Sequence, residues 1–197
     1  MISSENPTKQ QELLEAAGEL FMKHGIRRVT VAEICQEAGV SKMTFYKYYS
    51  NKADLAKAYF LKVANKGMED YRSIMRQDIA FATKVQQVIQ LKLKNTEGIS
   101  QEFVKDIYQD KRLGLHKIIE TKKKESLNEM LRDFEQAAAK GAIRKGINSQ
   151  FIVYFLDKIT EMAVDEKLLA LYRNEQELIM ELTNFFFYGL GIKDETK

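Results

Sequence analysis

Residues 29–55 read VTVAEICQEAGVSKMTFYKYYSNKADL. Four aromatics, Phe45, Tyr46, Tyr48 and Tyr49, fall within five positions, interleaved with lysines, and no acidic residue stands between Ser41 and Lys52. Thr30 and Glu33 have the spacing of a capping box, in which the Thr side chain takes the Glu amide and the Glu side chain reaches back to the Thr amide. The apolar step Val31, Ile34, Ala38 then predicts a helix where RRVTV alone would suggest a strand. Ala38-Gly39 ends that helix, because glycine accepts the left-handed conformation of a tight turn. Ser41 caps the next helix almost at once. Two short helices about three residues apart, the first closed by glycine, carry the helix-turn-helix signature. On the second helix Phe45 and Tyr49 stand at i and i+4 and share a face. Ile34, Val40 and Leu55 complete the inner side, and Lys42, Met43, Thr44, Tyr46 and Lys47 are left on the outer side and flanks. Such an outer face suits a DNA major groove: lysines meet phosphate or guanine edges, hydroxyls reach phosphate, and a thioether touches thymine methyl. Cys35 reads as a small buried residue where the two helices cross, not as a reactive thiol.

Working outward, the first helix is expected from Asn6-Pro7, with Asn6 as cap, to Gly25. Leu13, Leu14, Ala17, Leu20 and Phe21 recur at helical spacing. Ser50 or Asn51 caps a fourth helix that runs through about Gly67 or beyond. Further helices are expected at 68–77, 80–97, 100–109, 112–140, 149–172 and 175–190. The two-glycine stretch at 140–149 reads as a loop. FIVYFL (151–156) and NFFFYGL (184–190) look strand-like in isolation, but the helical pattern around them predicts buried helix. The fold class is therefore all-α. An N-terminal helix-turn-helix domain with its connecting helix is placed at 1–66, and a larger helical domain at 67–197.

The chain has 197 residues, one proline and no tryptophan, and a net charge of +3. Residues 1–66 hold ten Lys/Arg and seven Asp/Glu, so the whole positive excess resides there. This points to an anionic partner for that third of the chain. The single cysteine excludes an intrachain disulfide and fits a cytoplasmic protein. No apolar run is long enough to cross a membrane, and no signal peptide is read at the N-terminus. Nothing supports an enzyme: neither His24 nor His116 has the glutamate of a di-iron bundle motif, and no H-E-x-x-H, P-loop or G-x-S-x-G occurs. No cofactor and no metal site is expected.

The stretch LFMKHGIRRVTVAEICQEAGVSKMTFYKYYSNKADL resembles the N-terminal domain of the tetracycline-repressor (TetR) family of bacterial transcription regulators. The likeness rests on the glycine after the first helix, T-V-x-x-I opening the second, the AGVS turn, T-F-Y-x-Y-Y in the recognition helix, and Lys52. It implies DNA contacts from Thr44, Tyr46, Lys47 and Tyr48, a base or phosphate contact from Lys42, and a phosphate contact from Lys52. Thr30, Ser41 and Met43 complete the candidate DNA face. The family more often has an aromatic and a histidine where Lys47 and Tyr48 stand, and those two positions bear on base preference.

Beyond residue 66 the resemblance is architectural. It implies a small-molecule cavity and a dimer built by the last two long helices as an intermolecular four-helix bundle. Interface candidates are Phe151, Phe155, Ile159, Met162, Leu178, Leu182, Phe185 and Phe186. Pocket candidates are Phe81, Val85, Val88, Ile89, Phe103, Tyr108, His116, Ile119, Met130, Phe134 and Tyr154, each of which serves equally as plain core. The expected function is a DNA-binding regulator, a homodimeric repressor released from palindromic double-stranded DNA by a small, largely apolar effector. The alternative is a protein of the same fold controlled by a protein partner. A helical carrier or enzyme with an accidental helix-turn-helix ranks last, since capping box, glycine turn and sorted aromatics coincide.

Overall fold

A computed structural model describes residues 8–109 and 113–191. Among them ten helices and no strand occur, and two compact units form. The first unit takes residues up to 64 together with 99–119, and the second takes 65–98 and those from 120 on.

The first unit is built on α1 (Lys9–His24), α2 (Val31–Glu37), α3 (Lys42–Tyr48), the start of α4 (Lys52–Met75), and α6 (Gln101–Gln109). The α1 cap is Thr8: it accepts from the Gln11 amide, and Gln11 reaches back to the Thr8 amide. The expected start at Asn6-Pro7 lies outside the described residues, and the box Thr8-x-x-Gln11 is the signal that sets the start at Lys9. Leu13, Ala17 and Phe21 of α1 meet Ile34, Phe45, Tyr49 and Leu55 in one core. Phe103 of α6 joins the same core, with Leu115 and Ile119. The division expected from the sequence puts this segment in the second domain. It packs with the first unit because Ser100 N–H donates to Met22 O at 2.9 Å and Arg27 N–H donates to the buried Asp106 carboxylate at 2.8 Å. Gly25 permits that approach: its φ is 79°, and a Cβ there would lie 2.8 Å from Glu102 Cβ.

The second unit holds the rest of α4, α5 (Phe81–Asn95), most of α7 (His116–Ala139), α8 (Ser149–Met162), α9 (Glu166–Leu169) and α10 (Glu175–Gly189). Its core joins Phe81 and Val85 of α5, Phe134 and Ala137 of α7, Ile152 of α8, and Phe186 and Phe187 of α10. FIVYFL and NFFFYGL lie in or at the end of helices, as their flanks require. Polar ties link α4 to α7: Tyr71 Oη donates to Asp133 at 2.8 Å, and Arg72 makes two bonds of 2.8 Å to Glu129.

Two expected boundaries differ. The helix expected at 68–77 is not separate: α4 runs unbroken past Gly67 to Met75, because one mid-helix glycine costs only about 1 kcal/mol against alanine. The expected helix at 149–172 is two, since Asp165 accepts from the Lys167 and Leu168 amides at 2.9 and 3.0 Å and caps a new start. The start of α7 expected at 112 lies outside the described residues; within them the helix begins at His116.

Candidate nucleic-acid interface

The helix-turn-helix is set by local bonds of the expected kind. Glu33 N–H donates to Thr30 Oγ1 at 3.2 Å, and Thr30 N–H donates to Glu33 Oε2 at 2.7 Å. The Thr30 hydroxyl bond, helped by the Thr30 amide, holds the Glu33 carboxyl below its ordinary pKa. The chain turns at Gly39, with φ 63°, and Val40 N–H donates to Cys35 O at 2.9 Å. Ser41 caps α3 by accepting the Thr44 amide at 3.1 Å. Cys35 is buried, and burial pushes its thiol pKa up, away from the reactive thiolate.

α3 is sorted as its sequence demands. Phe45 is fully buried and Tyr49 nearly so. On the outside Met43 is 83% exposed and Tyr46 57%, with Lys42 and Lys47 also exposed. Tyr48 is 37% exposed, and Lys47 Nζ sits 5.9 Å from its ring centroid, a cation–π distance. Thr30 and Ser41 are exposed but bonded as caps, and Thr44 is half-buried, its hydroxyl 3.0 Å from Ser41 Oγ. The structure thus brings Lys42, Met43, Thr44, Tyr46, Lys47 and Tyr48 onto one short helix whose outer side carries no acid.

Lys52 is different. Its ammonium donates to the carbonyls of Arg27 and Val29, in the loop after α1. Burial lowers its pKa, and Asp106 and Glu33 partly offset this. Expected as a phosphate contact, Lys52 instead has two of its three donors committed to the protein, and it ties the start of α4 to the loop leading into α2.

The pocket candidates do not converge. Phe81, Val85, Val88, Ile89, Met130 and Phe134 share the core of the second unit, where Phe134 touches the rings of Phe81, Phe186 and Phe187. Phe103 and Ile119 belong to the core of the first unit. Tyr108, His116 and Tyr154 are exposed. A groove of the second unit lies elsewhere. It measures about 690 Å³ and is lined by Asn65, Met68, Glu69, Arg72, Ser73, Arg76, Lys122, Glu125 and Ser126. A search for apolar periodicity passes over these residues. Their signal is a polar stripe at helical spacing along the second half of α4.

The interface candidates split between two faces. Leu178, Leu182 and Phe186 are buried in their own unit, so the stripe they form on α10 faces the protein's own core. Phe155 and Ile159 are half-buried and pack against the same core. Phe151 and Phe185 are exposed, at 56% and 67%, and Met162 is 37% exposed. The rings of Phe151, Phe155 and Phe185 run in contact, with centroids 5.8 and 6.5 Å apart. Tyr154 and Tyr188 extend this aromatic surface of α8 and α10.

The first unit is that of a helix-turn-helix protein. Residues 13–59 match the family described as "Bacterial regulatory proteins, tetR family". The chain is 40% identical over 47 positions to the HTH-type transcriptional regulator TtgR of Pseudomonas putida, covering 24% of this chain and 22% of that protein. The chain thus spans less than a quarter of that relative's length. Over the fold, the fatty acid degradation regulator FadR of Bacillus halodurans matches with a TM-score of 0.71 at 17% identity, covering 96% of this chain and 100% of that one. Bacillus subtilis FadR in complex with stearoyl-CoA matches with a TM-score of 0.67 at 17% identity, over 90% and 97%. At such identities the likeness is one of fold. No helix among the described residues is long and apolar enough to cross a membrane.

Proposed function

We propose that the chain is a DNA-binding transcriptional regulator: a homodimer that reads a near-palindromic duplex with α3 and leaves it when a small molecule binds the second unit. The observation that carries this is the outer face of α3, where exposed lysines, hydroxyls and a thioether stand on a helix anchored by Phe45 and Tyr49. One such helix reads only a few base pairs, so two copies on half-sites one helical turn apart give a usable site. TtgR, 40% identical over 47 positions, is a transcriptional regulator by name, and FadR of Bacillus subtilis has been solved with stearoyl-CoA, which supports the effector-controlled form. A repressor follows if the ligand favours the unbound state. By reciprocity operator DNA then weakens the ligand by the same factor that the ligand weakens DNA. The test is fluorescence anisotropy on fragments flanking the chain's own gene, across a salt series. Binding should show a log–log salt slope of about −0.9 per phosphate neutralised. Affinity that ignores salt, or no fragment bound, overturns the proposal.

A further inference from the structure

From the charge and filling of the second unit, we infer that its α4–α7 groove binds a small, strongly polar molecule bearing a carboxylate or phosphate, in place of the apolar effector expected from the sequence. As an effector site this rests on the regulator reading; as a binding site it does not.

Around Phe134 the core of the second unit is filled by its own side chains: the rings of Phe81, Phe186 and Phe187 lie at centroid distances of 6.0 to 6.4 Å. The α4–α7 groove, about 690 Å³, is of the size that holds small ligands. Its only apolar lining side chain is Met68. An apolar guest would strip water from Glu69, Arg72, Arg76, Lys122 and Glu125 and return no hydrogen bond, so the groove disfavours it.

The charges are not equivalent. Arg72 is held by Glu129 through two bonds of 2.8 Å, and Lys122 by Glu125 at 2.8 Å. These pairs neutralise each other and stiffen the walls. Arg76 stands one turn beyond Arg72. Its charge helps to lower the pKa of Glu129, but among the described residues its side chain makes no hydrogen bond or ion pair. A guanidinium with its donors open presents the planar fork that matches a carboxylate or phosphate with two bonds. Asn65 and Ser73, on the same helix, offer neutral donors and acceptors for the rest of a polar guest.

The experiment is titration calorimetry on the full chain without DNA, at fixed ionic strength. The probes are citrate, glucuronate, glucose 6-phosphate and inorganic phosphate, with decanol as the apolar contrast. At least one anion should bind one per chain, and Arg76→Gln should weaken it about tenfold or more. Carboxylate and phosphate probes separate the two sources of the anionic group. Arg76 is exposed, so its variant keeps the fold, and Ser73→Leu, which fills the groove from the same α4 wall one turn earlier, should block the same probe. If no anion binds, if only decanol binds, or if Arg76→Gln binds as the wild type does, the inference falls. Binding that Arg76→Gln weakens supports the site even where the chain binds no DNA, which tells the two failures apart.

Discussion

The ammonium of Lys52 donates to two carbonyls in the loop after α1, whereas Lys47 has the Tyr48 ring beside it and solvent beyond. Both lysines stand in a stretch without acids, and residue type alone gives them one role. Geometry separates them, and the separation is measurable. Lys52→Met keeps the stem and removes the charged donor, leaving two carbonyls short of a partner. Urea unfolding should show a loss of about 1–2 kcal/mol, at the lower end because the group is partly exposed. Lys47→Ala leaves no buried group unsatisfied and should change stability by less than about 0.5 kcal/mol. In DNA binding the order reverses: Lys47→Ala should flatten the salt slope by about one unit per protomer. Equal effects of the two variants on both measurements would remove the distinction.

At the scale of elements, two glycines inside helices show how one residue type takes opposite roles. Gly18 sits where α1 meets α4, and a Cβ on it would lie 2.3 Å from Tyr59 Cε2. Tyr59 is itself set edge-on to the fully buried Phe21, with centroids 6.3 Å apart. Gly67, in the middle of α4, has nothing within 4 Å of the same added atom. Alanine at Gly67 should therefore stabilise by about 1 kcal/mol, the helix-propensity difference alone. Alanine at Gly18 gains that term and loses about 1–3 kcal/mol to overpacking, so thermal melts should show it less stable than wild type. Gly18→Ala that is as stable as Gly67→Ala would mean Tyr59 swings away freely. The same contrast explains what was legible in the sequence. The helix-turn-helix could be read because its determinants are local: Thr30 with Glu33, Ser41 with Thr44, and Gly39 between them all act within a few residues. The place of α6 could not, because it depends on Arg27 meeting Asp106, 79 positions away. Nor could the groove, because a polar stripe on α4 looks like a solvated face until α7 is set against it.

At the scale of the whole molecule, the aromatic surface of α8 and α10 bears on assembly. Exposed Phe151, Tyr154, Phe185 and Tyr188 form an aromatic patch of the kind that marks an interaction surface. A second copy of the chain meeting it about a two-fold axis would cover it with its own equivalent. The neighbouring residue separates this proposal from plain core packing. Phe186 is 6% exposed and stacks on Phe155 from inside, whereas Phe185, one position earlier, points outward. Phe186→Asp places an unpaired carboxylate in the core, a penalty of several kcal/mol, and should give unfolded or aggregated protein by circular dichroism. That outcome says nothing about a dimer. Phe185→Asp puts the charge where water already reaches in the single chain, so the fold should survive with an unchanged helical spectrum. In an assembled pair the same carboxylate meets the partner's aromatic surface and its own copy across the axis. Sedimentation at micromolar concentration should then show a dimer for wild type and a folded monomer for Phe185→Asp. The monomeric variant should also lose DNA affinity far beyond the effect of any single lysine, because each reading helix must then hold its half-site alone. A folded wild-type monomer, or a Phe185→Asp chain that still sediments as a dimer, would move the interface off this surface.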